Sequence, residues 1–158
     1  MAKFSFKKVE ELSSVTFFFE GSIDESFASF SLKPHPNKGV KIDFEKIKSI
    51  NSIGVRNWIQ WLSSAPGVKF TFQKCPVCVI EQVNNVKGFA PLSTVIESFF
   101  VPYYSEETGE EKHELYLLDR DYKMGSTPNI KVIKDSTGRK MELDVYPQKY
   151  FKFILKGL

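Results

Sequence analysis

Residues Val40-Lys41-Ile42-Asp43-Phe44 alternate apolar and polar with the period of a half-buried strand. Val55, Trp58, Ile59 and Leu62 follow at the spacing of one helix face. A strand leading so soon into an amphipathic helix commits the chain to a layered α/β arrangement, because each element needs the other to cover its apolar side. The same pairing recurs. Val68-Lys69-Phe70-Thr71-Phe72 alternates, and Pro76 opens a helix with Val79, Ile80, Val83 and Val86 on its buried face, closed by Gly88. Thr94–Val101 reads as a further strand. Upstream, Phe4, Phe6 and Val9 mark one strand and Val15–Phe19 a second. Asp24 caps a short helix carrying Phe27 and Phe30. The stretch Lys33-Pro34-His35-Pro36-Asn37-Lys38-Gly39 breaks the chain into a surface loop. The predicted order over roughly the first hundred residues is β-β-α-β-α-β-α-β, a mixed sheet with helices packed against it.

Composition narrows the functions open to such a fold. The chain has 158 residues and a net charge of +3, from 22 basic and 19 acidic side chains. That balance carries no clustered basic face of the kind nucleic acid needs. No apolar run approaches the roughly 20 residues of a membrane helix. The alternating start Met1-Ala2-Lys3-Phe4-Ser5-Phe6 lacks a signal-peptide apolar core. The two cysteines, Cys75 and Cys78, stand too close together for a disulfide framework, so a cytoplasmic protein is expected. No glycine-rich phosphate loop follows any strand, and no cofactor is expected.

After Pro102 the character changes. Residues 105–144 are polar and turn-rich, with short strands predicted at His113–Asp119, Ile130–Lys134 and Lys140–Asp144. Two similar turns punctuate them, Ser105-Glu106-Glu107-Thr108-Gly109 and Lys134-Asp135-Ser136-Thr137-Gly138. A last helix is predicted from Pro147, with a strand as the alternative that the lysine spacing disfavours. Lys149, Lys152 and Lys156 lie on its wet face, and Tyr150, Phe151, Phe153, Ile154 and Leu155 dock on the body.

Particular residues now meet this order. Gly21-Ser22-Ile23-Asp24 resembles the G-x-[LI]-D segment of STAS domains, the fold of anti-sigma-factor antagonists and sulfate transporters. Phe44 to Val55, through Asn51-Ser52-Ile53-Gly54, resembles their signature at the strand-to-helix junction. The likeness covers residues 4–101. It implies a bacterial signalling module without enzymatic activity, whose partner is a kinase or another regulator. It also implies that Ser52 is the serine phosphorylated in antagonists of that family. Asn51 departs from the pattern, standing where the family has aspartate and removing a negative charge. A plainer role for Ser52 is to cap the helix with its hydroxyl. Asn51, Ser52, Arg56, Asn57, Gln60 and Trp61 are the candidate partner-binding residues, since the helix is the family's contact surface and exposed Trp and Arg are favoured anchors.

The second half resembles a zinc ribbon whose thiolates have been replaced, by Ser105, Thr108, Lys134 and Thr137. Hydroxyls and an ammonium do not supply the tetrahedron of thiolates zinc takes, so the resemblance implies a metal-free ribbon. The first turn is acidic (Glu106, Glu107, Glu110, Glu111) and the second basic (Lys131, Lys134, Arg139, Lys140), so ion pairs are expected across them. Packing of Leu115, Leu117, Val132, Met141 and Leu143 is expected to supply most of the stability. The chain thus divides into a STAS-like domain (1–102) and a degenerate ribbon-like β module with a C-terminal packing segment (103–158). The alternatives are a dithiol oxidoreductase acting through the C-x-x-C of Cys75 and Cys78, and a small-molecule sensor with a pocket near Ser52.

Overall fold

A computed structural model describes residues 2–30 and 37–158, so most of the loop predicted around His35 lies outside the described residues. Strand β1 (Ser5–Glu10) runs antiparallel to β2 (Ser14–Ile23). Then β3 (Gly39–Ile50), β4 (Phe70–Gln73) and β5 (Val95–Ile96) follow in parallel, giving one mixed five-stranded sheet in chain order. The period-two residues behave as expected. Val15, Phe17, Phe19, Val40, Ile42, Phe44, Phe70 and Phe72 are all buried.

The connections carry a 3₁₀ helix (Glu25–Ser29), α1 (Ser52–Ser63) and α2 (Val77–Asn85). Helix α1 buries Trp58, Trp61 and Leu62, and α2 buries Val79 and Ile80. Trp58 lies among the rings of Phe19, Phe44, Phe72 and Phe89, and its indole N–H donates to the Phe89 carbonyl at 2.8 Å. A buried Trp needs that partner.

Two glycines fix how closely these layers meet. A side-chain carbon on Gly54 would stand 1.8 Å from the backbone oxygen of Ile23, so α1 reaches the end of β2 only because residue 54 has none. Gly21, at φ +92°, faces the Lys3 carbonyl, where such a carbon would stand at 2.2 Å.

The predicted strand Thr94–Val101 divides in two. After β5, Glu97 turns the chain into β6 (Ser98–Tyr104), the centre of a second, antiparallel sheet flanked by β7 (Glu111–Leu117) and β8 (Glu142–Leu143). The expected boundary after residue 102 falls inside β6, and one continuous core of buried residues runs through both sheets. Helices α3 (Pro147–Tyr150) and α4 (Lys152–Lys156) stand where one terminal helix was predicted, broken at Phe151. Asn84 of α2 fastens them: its amide donates to the Tyr150 carbonyl at 2.8 Å and accepts from the Phe153 N–H at 2.9 Å. Tyr150, Phe151, Phe153 and Ile154 dock as expected, whereas Leu155 stays exposed.

Ile130–Lys134 forms no strand beyond a single bridge from Lys134 to Lys140. The backbone of Lys131 is satisfied by tyrosines instead, while the Ile133 carbonyl accepts from the Met141 N–H at 2.7 Å. The Lys131 N–H donates to the Tyr116 hydroxyl at 2.9 Å, and the Tyr103 hydroxyl donates to the Lys131 carbonyl at 3.0 Å. Tyr103, Tyr116, Tyr122 and Met141 are buried in this half, together with the docked residues of α3 and α4. Leu115, Leu117 and Leu143 are half-buried, and Val132 is exposed, against its predicted packing role. No helix among the described residues is long and apolar enough to cross a membrane.

Candidate functional site

The strand-to-helix junction is built from the backbone outward. β3 ends at Ile50, the Asn51 N–H donates to the Ile23 carbonyl at 3.2 Å, and the chain turns into α1. The cap of that helix is Asn51. Its side-chain oxygen accepts from the Gly54 N–H at 2.8 Å. The capping role read for Ser52 is therefore corrected: Ser52 is the first helical residue, and its side chain is exposed. The reason is local, since an asparagine preceding the helix reaches the amide three residues on with an extended backbone that a residue already in helical conformation lacks.

The amide nitrogen of Asn51 donates in turn to the Glu25 carboxylate at 3.2 Å. A carboxylate thus stands beside Asn51 in space, supplied by the 3₁₀ helix. Glu25 went unnoticed in the sequence because it lies 26 residues upstream, in an element with no motif of its own.

Along α1, Ser52, Ile53, Arg56 and Gln60 are exposed and Asn57 is half-buried. Ile53 is an apolar residue 46% open to solvent, beside Ser52 and three positions before Arg56. Trp61 does not belong to this surface. It is 7% exposed, ringed by Phe17, Phe19, Phe27, Phe30, Trp58 and Phe70. Phe27 of the 3₁₀ helix and Phe30 at its C-cap cover the flank of α1 that the helical spacing alone leaves open. Between these two helices lies a cleft of about 290 Å³, lined by Phe27, Phe30, Asn57, Gln60, Trp61 and Ser64; Ser52 is not in its lining.

Cys75 and Cys78 are both free thiols. Cys75 is fully buried and bridges β6 through its backbone, its N–H donating to the Ser98 carbonyl at 3.1 Å. Burial pushes its thiol well up. Cys78, in the first turn of α2, is pushed up to about 11 by burial and then by the carboxylate of Glu81. Dithiol chemistry runs on a lowered thiol, and both shifts here go the opposite way.

In the second half, Ser105 and Asp135 are brought together while Thr108, Lys134 and Thr137 are exposed. The donors at the four ribbon positions are three hydroxyls and an ammonium, which do not fit zinc. Among the described residues no group of three or more His, Cys, Asp or Glu is placed to hold a metal ion. Across the turns, Arg139 pairs with Glu107, as the opposed charges lead one to expect. Glu110 instead accepts from the Ser136 N–H at 3.0 Å and from its hydroxyl. No protein-family model matches the chain, and no curated protein matches it in sequence.

Proposed function

We propose that the chain is a non-enzymatic protein–protein interaction module of bacterial cytoplasmic signalling, STAS-like in its first sheet, which meets another signalling protein through the exposed side of α1. Ser52 is the regulatory position, modified by a partner kinase. The observation that carries this reading is the division of labour at the junction. Asn51 caps the helix, which leaves the Ser52 hydroxyl exposed and without a structural duty. A phosphate there would sit at a helix N-terminus, where the unpaired amides and the dipole favour negative charge.

Two further observations support it. The segments that carry the family resemblance contain Gly21 and Gly54, and at both the backbone packs too closely for any side chain. The carboxylate of Glu25 stands at Asn51, where the resemblance expects an acid. The partner surface in this reading comprises Asn51, Ser52, Ile53, Arg56 and Gln60, with Asn57 at its margin.

The test is a pull-down from the native cytoplasm comparing wild type, Ser52→Ala and Ser52→Asp, with bound proteins quantified by mass spectrometry. One partner retained by wild type and Ser52→Ala and lost from Ser52→Asp supports the reading. Identical capture by all three argues against a switch at this serine.

A further inference from the structure

The two turns of the second half are joined by one side chain that the ribbon resemblance does not single out. The Asp135 carboxylate is 6% exposed and accepts four hydrogen bonds. One oxygen takes the Ser105 hydroxyl at 2.7 Å from the opposite turn. The other takes the Thr137 N–H at 2.8 Å, the Thr137 hydroxyl at 2.6 Å and the Arg139 N–H at 3.1 Å from its own. Ser105 is equally enclosed and orders its own turn, its hydroxyl oxygen accepting from the Thr108 N–H at 3.2 Å. The backbones are closed independently. The Ser105 N–H donates to the Glu110 carbonyl, and the Asp135 N–H to the Arg139 carbonyl, both at 2.9 Å. The pair Ser105–Asp135 therefore links two preformed turns, with Glu110 on Ser136 and Lys112 on the Lys134 carbonyl (2.7 Å) as outer, exposed ties.

We infer that the Asp135 carboxylate is the clasp of the ribbon-like module, holding its two turns together by hydrogen bonds where the family resemblance calls for a metal, and that the module is ordered independently of zinc. An ionised acceptor makes the stronger class of hydrogen bond, and this one is satisfied from both sides. Of the expected ion pairs between acidic and basic turns, Arg139–Glu107 is the one formed among the described residues, and it is an exposed outer contact, while Lys131 pairs with Glu114 and Asp121 instead. Exposed pairs of that kind contribute little, so the enclosed carboxylate sets the geometry.

The experiment is hydrogen–deuterium exchange read by mass spectrometry on the full chain, comparing peptides over 105–110 and 134–140 with those over β2 and β3. Wild type is measured with a chelator and with added zinc, beside Asp135→Ala, Asp135→Asn and Ser105→Ala. Chelator and zinc are expected to change nothing. Asp135→Ala is expected to speed exchange in both turns by about tenfold or more, the scale of one lost charged hydrogen bond. Asp135→Asn keeps one carbonyl oxygen for its own turn but presents an N–H₂ group where the carboxylate accepted from Ser105, so 105–110 is expected to loosen more than 134–140. Ser105→Ala removes the link together with the Thr108 N–H bond of its own turn, so faster exchange over the opposite turn, 134–140, reports on the clasp even if Asp135→Ala fails to fold. Faster exchange on chelation, or both turns left protected in Ser105→Ala and Asp135→Asn, overturns the inference.

Discussion

Replacing Asn51 and Ser52 one at a time separates a structural residue from a functional one. Asn51→Ala removes the side-chain cap at the N-terminus of α1, a hydrogen bond of 2.8 Å from the Gly54 N–H, and with it the 3.2 Å bond to Glu25. Loss of an Asn cap costs about 1 kcal/mol, within a range of roughly 0.5–2. The Glu25 bond is exposed and adds about 0.5 kcal/mol at most. For a domain of this length, about 1–1.5 kcal/mol lowers Tm by roughly 2–6 °C. Ser52→Ala removes an exposed hydroxyl at the first helical position, where substitutions stay within about 0.5 kcal/mol and Tm moves by less than about 2 °C. Thermal unfolding followed by far-UV circular dichroism on both variants measures the difference. If Ser52→Ala destabilises as much as Asn51→Ala, the serine is part of the cap and the division of labour at the junction is wrong.

Gly54→Ala is expected to destabilise by about 3 kcal/mol or to prevent folding, because its added carbon meets the Ile23 backbone and not a side chain that can turn away; chemical denaturation measures it. The alkylation rate of Cys78 is expected to keep rising as pH climbs towards about 11, since burial holds the thiol protonated; a plateau near neutral pH contradicts the site as described. Asp135 and Glu110 are both held below the ordinary carboxylate range. Thr137 and then Ser105 are the main cause at Asp135, and Ser136 at Glu110. Their contribution to stability is therefore present above the unfolded carboxylate value of about 4 and is lost as pH falls through the folded values. The near-UV circular dichroism of Tyr103 and Tyr116 is expected to hold from neutral pH down to about pH 4 and to fade only in stronger acid.

The alternating strands and the one-sided helices were legible because their period is a direct consequence of burying one face. β3 ran past its predicted end at Phe44 because the β2–β3 register shifts between Phe18 and Glu20, and Glu45 and Lys46 break the alternation before Ile47 returns to the core. Trp61 was misplaced for a different reason. Helical spacing gives a face but not what covers it, and the covering Phe27 and Phe30 come from an element about thirty residues away. At the junction, the motif drew attention to Ser52 while Asn51 did the capping. In the second half, the ribbon pattern pointed to residues 134 and 137, whereas the chemistry gathered on Asp135 between them. Both misreadings fall where a pattern names positions and hydrogen-bond geometry decides roles.

The central claim is that Ser52 is spared by the fold for regulation. Intact-mass spectrometry with peptide mapping on protein taken from its native cells tests it most directly. A population carrying one phosphoryl group, located on Ser52, is expected. Ser52 bare under every growth condition, with any phosphate on another residue, would contradict it.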